Sequence, residues 1–518
     1  MFRNKKLVMI LSAIMIFTLA LTACGGNKPA EEGNKGGEEA PVVKDTLVVA
    51  QGADAKSLDP HATNDQPSSR VSKQIYNTLV QSTVDMELVP GLAESWNQVD
   101  DTTWEFKIRE GVKFHNGEEL KASDVKFSID RMLASKKVAH IVEAIESVEV
   151  ADDYKVIIKT AEPFGPLLAH LSHTATSIVN EKAVTEAGEN YGQNPVGTGP
   201  FKFVSWDAGD KITLERFDDY YKGAANVKTV VFRNITEGTN RTIGLETGEL
   251  DIAYEIEPID KDRVANHEKL QLIEGPSLSM NYIGMNTQKE PFNNVKVRQA
   301  INLAINADDI ISAVLNGAGQ KANSPIGPRV FAHNDAIEPY GFDVEKAKEL
   351  LKEAGHENGF KTTIWTNDNP IRMQIAQIAQ AQLKEIGIDV TIEPLEWGSY
   401  LERTAKGEHD MFILGWVTVT ADPDYGLYAL YNSSQHGGAG NRTYFTNAEV
   451  DKLLQEGRTA IDPEKRAEAY KKAQEIIVSE APDVMLYYQT QNVGASKTVK
   501  GFELHPAGHH SIYEVSFE

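Results

Sequence analysis

The sequence predicts an α/β protein, and three observations carry that prediction. Apolar runs of strand length recur along the chain, amphipathic stretches of helical period stand between them, and the second half alternates strand, helix, strand. The composition, 41% hydrophobic and 25% charged, is that of a chain able to bury a large core. At about 150 residues per domain, 518 residues suggest about three domains or lobes.

In chain order, Thr46-Leu47-Val48-Val49-Ala50 reads as a short buried strand, and Val71, Ile75 and Leu79 mark a helix after Pro67. Strand-like runs follow at 104–108, 155–159, 211–216 and 227–233. Val344, Ala347, Leu350, Leu351 and Ala354 share one helical face, with Asp343 as its cap and Gly355 as its stop. A helix over 374–386, a strand over 388–392 and a strand over 411–416 come next. Asp462-Pro463 caps and opens a helix running to about Ser479, and 484–488 returns as a strand. The chain has no repeat period.

Arg3, Lys5 and Lys6 precede an apolar run over residues 7–21, the pattern of an export signal. The run ends in Leu21-Thr22-Ala23-Cys24, which looks like the bacterial lipobox, and Cys24 is the only cysteine. Residues 1–23 are therefore expected to be a signal peptide and Cys24 the lipidation site; a transmembrane anchor ending in a chance cysteine is the alternative, for which the run is short. Residues 24–45, rich in Gly and charge, read as a flexible tether. Residues 1–23 carry three positive and no negative charges, so their removal takes the formal charge from −23 to −26. Such a body repels phosphates, and no nucleic-acid partner is expected.

Motifs for chemistry are scarce. The chain lacks GxxxxGK[ST], GxSxG, HExxH, an EF-hand loop and CxxC, so no ATP site, common hydrolase or metal site is expected, and no cofactor. His505, His509 and His510 form the densest histidine group and read as a solvated loop rather than a metal site. Asp422-Pro423-Asp424 reads as a turn. Trp397, Trp416 and Tyr425, with Thr418 and Thr420, are aromatic and polar positions following strands, suited to binding without chemistry; core packing competes for Trp397.

Three ordered segments carry a resemblance. Gly91-Leu92-Ala93-Glu94-Ser95-Trp96, then Trp104-Glu105-Phe106-Lys107-Ile108-Arg109-Glu110-Gly111-Val112-Lys113-Phe114-His115-Asn116-Gly117, then Ala122-Ser123-Asp124-Val125-Lys126-Phe127-Ser128 resemble the defining segment of the bacterial extracellular solute-binding proteins of the dipeptide/oligopeptide/nickel importer class. Gly197-Thr198-Gly199-Pro200, Gly248-Glu249-Leu250-Asp251, Val297-Arg298-Gln299-Ala300, Glu396-Trp397 and Gly415-Trp416 continue it in order. The resemblance implies the two-lobed periplasmic-binding-protein fold of the large class with an extra subdomain, and a ligand cleft between lobes. Lobe I is then residues 46–78, 195–277 and 490–518, its extra subdomain 79–194, and lobe II 278–489. It further implies a monomer, lipid-anchored on the outer face of the cell membrane. Closing on a small peptide or peptide-like ligand, it would deliver it to the permease and ATPase subunits of an ABC importer.

Carried over position by position, the resemblance places Trp397 and Trp416 at the cleft, Phe127 as an aromatic contact, Arg372 near the arginine that meets a ligand carboxylate, and Tyr488 near the second hinge crossing. One position departs: peptide-binding members carry an Asp three residues after the Gly-Trp tryptophan, where this chain has Val419. A buried ammonium without a counter-ion costs several kcal/mol, so Asp422 or Asp424 is expected to serve, or the ligand has no ammonium there. Glutathione, nickel or metal chelates and other non-peptide solutes stay open. So do an extracellular enzyme using Asp422 or Asp424 with Glu396, and a signalling receptor.

Overall fold

The computed structural model describes residues 44–438 and 440–518; the expected export signal, the expected lipidation site Cys24 and nearly all of the expected tether lie outside the described residues. One 11-stranded sheet runs through the described residues. At one end Thr46–Gln51 pairs in parallel with Thr229–Asn234 and Ile252–Ala253. At the other end Lys361–Asn367 pairs in parallel with Asp389–Leu395 and Met411–Val417. Each end is an α/β unit, its helices covering apolar strands such as Ile364 and Ile413.

Two long antiparallel strands, Leu270–Met285 and Asp483–Ser496, join these ends. Their pairing runs from Leu270 opposite Ser496 to Pro276 opposite Thr490, breaks, and resumes at Met280 opposite Tyr488. Proline has no N–H for the ladder, so the break falls where the sequence interrupts it. A separate four-stranded antiparallel sheet, Ala93–Asp100, Thr103–Ile108, Lys155–Thr160 and Ile145–Asp152, packs Phe106, Val156 and Ile158 against Val125, Ile129 and Met132 of the helix Ala122–Leu133.

Local chemistry sets many boundaries. The Asp343 carboxylate accepts from Lys346 N at 2.9 Å, and Gly355 adopts φ +83° past the end of Val344–Glu353. Asp462 caps Pro463–Glu480 in the same way. The helix after Pro67 spans Gln66–Ile75 and stops short of Leu79. Here Gly199 N donates to Ile75 O at 2.8 Å, and a Cβ on Gly197 would stand 2.1 Å from that carbonyl, so the Gly-Thr-Gly run docks where only glycine fits. The C-terminal histidines are not on a solvated loop: His505, His509 and His510 are buried, with His510 Nδ1 accepting from His505 N at 3.0 Å. Burial lowers the His505 imidazole to about 4, so it is neutral near pH 7.

Candidate cleft at the strand ends

The carboxyl ends of the parallel strands Lys361–Asn367 and Asp389–Leu395 share one edge, the usual ligand position of an open α/β sheet. Arg372 lies in the first turn of the helix Pro370–Glu385 that follows one strand, and Trp397 opens the helix Trp397–Ala405 that follows the other. They meet: the Arg372 guanidinium carbon is 5.5 Å from the Trp397 ring centroid, while its Nη1 donates to Asn367 Oδ1 at 2.9 Å. Trp397 stacks on Tyr400 at 6.0 Å and is only half-buried. Arg372 and Trp397 thus form one patch, with the guanidinium held over the ring and its position fixed.

Trp416 ends the strand Met411–Val417 and packs against three separate apolar clusters, one of them the core of the four-stranded unit. Its Nε1 donates to Tyr425 O at 3.0 Å, with ring centroids 5.3 Å apart. The Tyr425 hydroxyl in turn accepts from Asn64 Nδ2 at 3.4 Å, a contact from the opposite α/β unit. His173 packs on the Tyr425 ring at 4.9 Å, with His140 and His170 beyond at 6.4 and 6.3 Å. Burial lowers His140 to about 4 and His173 to about 3, so both stand as neutral rings. Lys56 Nζ, 3.5 Å from Glu396 Oε1, is a second contact between the units.

Val419 is half-buried, touching two of the apolar clusters that Trp416 touches. Thr418 is buried and its N–H donates to Leu278 O at 3.1 Å. The two acids expected to stand in for the missing Asp at Val419 are already neutralised. Arg466 Nη2 holds both oxygens of Asp422 at 2.9 and 2.8 Å. Asp424 meets Arg458 Nε at 3.0 Å and His170 Nε2 at 3.1 Å. Burial alone would raise the Asp424 carboxyl, but the Arg458 guanidinium, with His170, overrides it and keeps the group below the usual carboxylate range. The Asp-Pro-Asp segment is therefore not an exposed turn. It is a buried ion-pair platform leading into a π-helical turn, Asp424–Tyr428.

Phe127 sits elsewhere, whereas Tyr488 belongs to the apolar cluster on which Trp397 and Trp416 pack. Phe127, on Ala122–Leu133, packs against the cluster around Leu47, Tyr76 and Phe201, in the seam under the four-stranded unit. Tyr488 is buried at the pairing break, its hydroxyl accepting from Ser324 N at 3.0 Å and donating to Ser324 O at 2.8 Å. It ties the loop at 323–324 to the crossing strand. Sequence reading missed Asn64, His140, His173, Arg458 and Arg466, which are remote in sequence from Trp416. Arg458 alone left a trace, because it continues the stripe Val450, Leu453, Leu454, Gly457 on the helix Ala448–Thr459. Among the described residues no group of three or more His, Cys, Asp or Glu is placed to hold a metal ion.

Comparison with known proteins bears on this geometry. The family described as bacterial extracellular solute-binding proteins, family 5, matches residues 87–438. A dipeptide-binding protein of Escherichia coli is 33% identical over 92% of this chain and 96% of its own length. A glutathione-binding protein of Pectobacterium atrosepticum is 34% identical over 89% and 91%. The structure of the periplasmic binding protein DppA of Helicobacter pylori in complex with the peptide STSA superposes with a TM-score of 0.87 at 35% identity, covering 92% of this chain and 98% of that one.

Proposed function

Because the chain belongs to family 5 of the bacterial extracellular solute-binding proteins, we propose that it is the lipid-anchored binding subunit of an ABC importer, capturing di- or oligopeptides or a related peptide-like solute between two closing lobes. The observation that carries the reading is Arg372 laid on Trp397 at the strand ends, with Trp397 and Trp416 packed on one apolar cluster and Trp416 tied through Tyr425 to Asn64. The interruption of the long strands between Pro276 and Met280 is where a hinge would fall. It supports the boundaries of lobe I, residues 46–78, 195–277 and 490–518, with lobe II, 278–489, and the separate four-stranded sheet with its own core supports 79–194 as the extra subdomain. An arginine laid on a tryptophan suits a carboxylate, a flat aromatic wall suits a peptide plane, and no bond need be made or broken. Trp416, Trp397, Arg372, Thr418 and Val419 are the proposed lining, with Tyr488 as hinge support.

Native mass spectrometry of protein purified without unfolding tests this reading. It is expected to release a peptide or a peptide-like compound such as glutathione; a nickel chelate or a sugar would contradict it. Anchoring is tested separately. Cys24→Ala is expected to move the protein from the membrane to the soluble fraction, and unchanged membrane retention with a processed signal would contradict lipidation at that residue.

A further inference from the structure

A histidine held by no ion pair lies in the seam between the four-stranded unit and the segment at 416–428. By the lobe assignment proposed above, His140, His170 and His173 belong to the extra subdomain and Tyr425 to lobe II. The subdomain side of the seam is fastened to lobe I: Arg131 Nη1 donates to Asp59 Oδ1 at 2.7 Å, and Thr174 Oγ1 stands 2.9 Å from His509 Nδ1. Tyr425 rides on the π-helical turn Asp424–Tyr428, yet it is buried in the apolar cluster of the subdomain. On that assignment, opening draws Tyr425 out of the cluster and uncovers the rings beneath it.

The three rings differ in what else holds them. His170 Nδ1 donates to Ile141 O at 2.7 Å, and its Nε2 stands 3.1 Å from Asp424, a partner that suits a charged ring. His173 Nδ1 accepts from Ala175 N at 2.9 Å, a bond inside its own loop that keeps this nitrogen unprotonated wherever the lobes stand. His140 has neither support. Its ring lies 18° from parallel with the Tyr425 ring, and its Nε2 is shielded from solvent with no hydrogen-bond partner among the described residues. Around it, Glu143 and Asp424 are taken by Arg458, and Asn64 meets Tyr425 with an uncharged amide. Burial, with His170 alongside, lowers the His140 imidazole to about 4.

We propose that His140 under Tyr425 is a proton-operated release for the bound solute: the ring takes up a proton only when lobe II draws back, so acid favours the open form and lets the ligand go. The proposal rests on the two-lobe, peptide-binding reading above and goes beyond it. Its sign follows from the two states. With the seam closed the ring titrates near 4. Uncovered, it returns towards the ordinary imidazole value of about 6.5. Between those values only the open form gains the proton, so affinity falls as pH drops from about 6.5 to about 4.

Titration calorimetry of the full chain with a panel of free dipeptides and tripeptides and glutathione decides the matter, since the charge of these ligands changes little between pH 5 and pH 7. Wild type is expected to bind roughly 20-fold more weakly at pH 5 than at pH 7, the weight of one imidazole protonated in the open form alone. At pH 5.5 it should release about one proton per ligand bound, read from runs in buffers of different ionisation heat. His140→Gln, its fold checked by circular dichroism, is expected to keep its pH 7 affinity at pH 5 to within about twofold and to release no proton. His140→Phe replaces it if the first variant does not fold, and if neither folds the wild-type proton count decides alone. Equal wild-type affinity at the two pH values, or a proton release that the variant leaves unchanged, overturns the proposal and leaves the peptide reading standing. No binding of any panel member by wild type at pH 7 overturns the peptide reading, and the proposal with it.

Discussion

Arg458→Met is expected to cost about 3–5 kcal/mol of stability, the effect of leaving a buried charge without its partner. The Arg458 side chain is 8% exposed and Asp424 2%. The guanidinium also stands 3.3 Å from Glu143 Oε1 and lies over the Tyr428 ring at 3.6 Å, so one side chain ties the helix Ala448–Thr459 to the four-stranded unit. With that cation gone, only His170 and the more remote Arg466 act on the Asp424 carboxylate. The sign of the pH dependence follows. In wild type the folded carboxyl of Asp424 titrates below its ordinary value, so its contribution is present above that value and lost as pH falls through the folded one. The deficit of Arg458→Met should therefore be largest near neutral pH and shrink in acid. Urea unfolding at pH 7 and again below the ordinary carboxyl range, at about pH 3, measures both, and a loss below about 1 kcal/mol at pH 7 would refute the account. Arg458→Met combined with Asp424→Asn should recover part of the loss, since that carboxylate no longer has to be neutralised.

Asp483→Asn is expected to stabilise the protein at alkaline pH. Asp483 opens the long strand Asp483–Ser496 and is 2% exposed; burial raises its carboxyl to about 7, against the opposing bond from the Tyr431 hydroxyl at 2.8 Å. The folded value lies above the unfolded one, so the native state holds the proton longer than the unfolded chain. Stability then falls as pH rises from about 4 to about 7, and the full cost of ionisation, about 4 kcal/mol for a rise of that size, is present above that range. The asparagine variant escapes this cost. Its stability should match wild type near pH 4 and exceed it near pH 8, with the gap opening between. Superimposable profiles over that range would show that Asp483 is not buried as described.

The contrast between these acids and the reading of the bare sequence is physical. Elements whose ends are set by neighbours along the chain were legible: Asp343 and Gly355 bracket Val344–Glu353, and Lys211–Arg216 has its expected ends. Elements completed by remote partners were not. The strand expected at 484–488 continues to Ser496 through polar residues such as Gln489, Thr490 and Gln491, because Leu270–Pro276 supplies its ladder. Gln66–Ile75 ends early because Gly199 takes up the Ile75 carbonyl. Trp397 could be named because it follows a strand and Arg372 only through the family resemblance, and the fold brings them together. That Asp424 and Asp422 would be held by arginines 34 and 44 residues further on left no local sign.

Small-angle scattering of the full body, first freed of ligand and then saturated with the compound identified by native mass spectrometry, tests the central claim most directly. Asn64 reaching Tyr425 and Lys56 reaching Glu396 describe a closed arrangement, and two strands crossing at a broken ladder are what would let it open. The account predicts a smaller radius of gyration with ligand, reversed on its removal, together with a higher melting temperature from binding to the native state. An unchanged radius of gyration with the ligand demonstrably bound would contradict capture by closure.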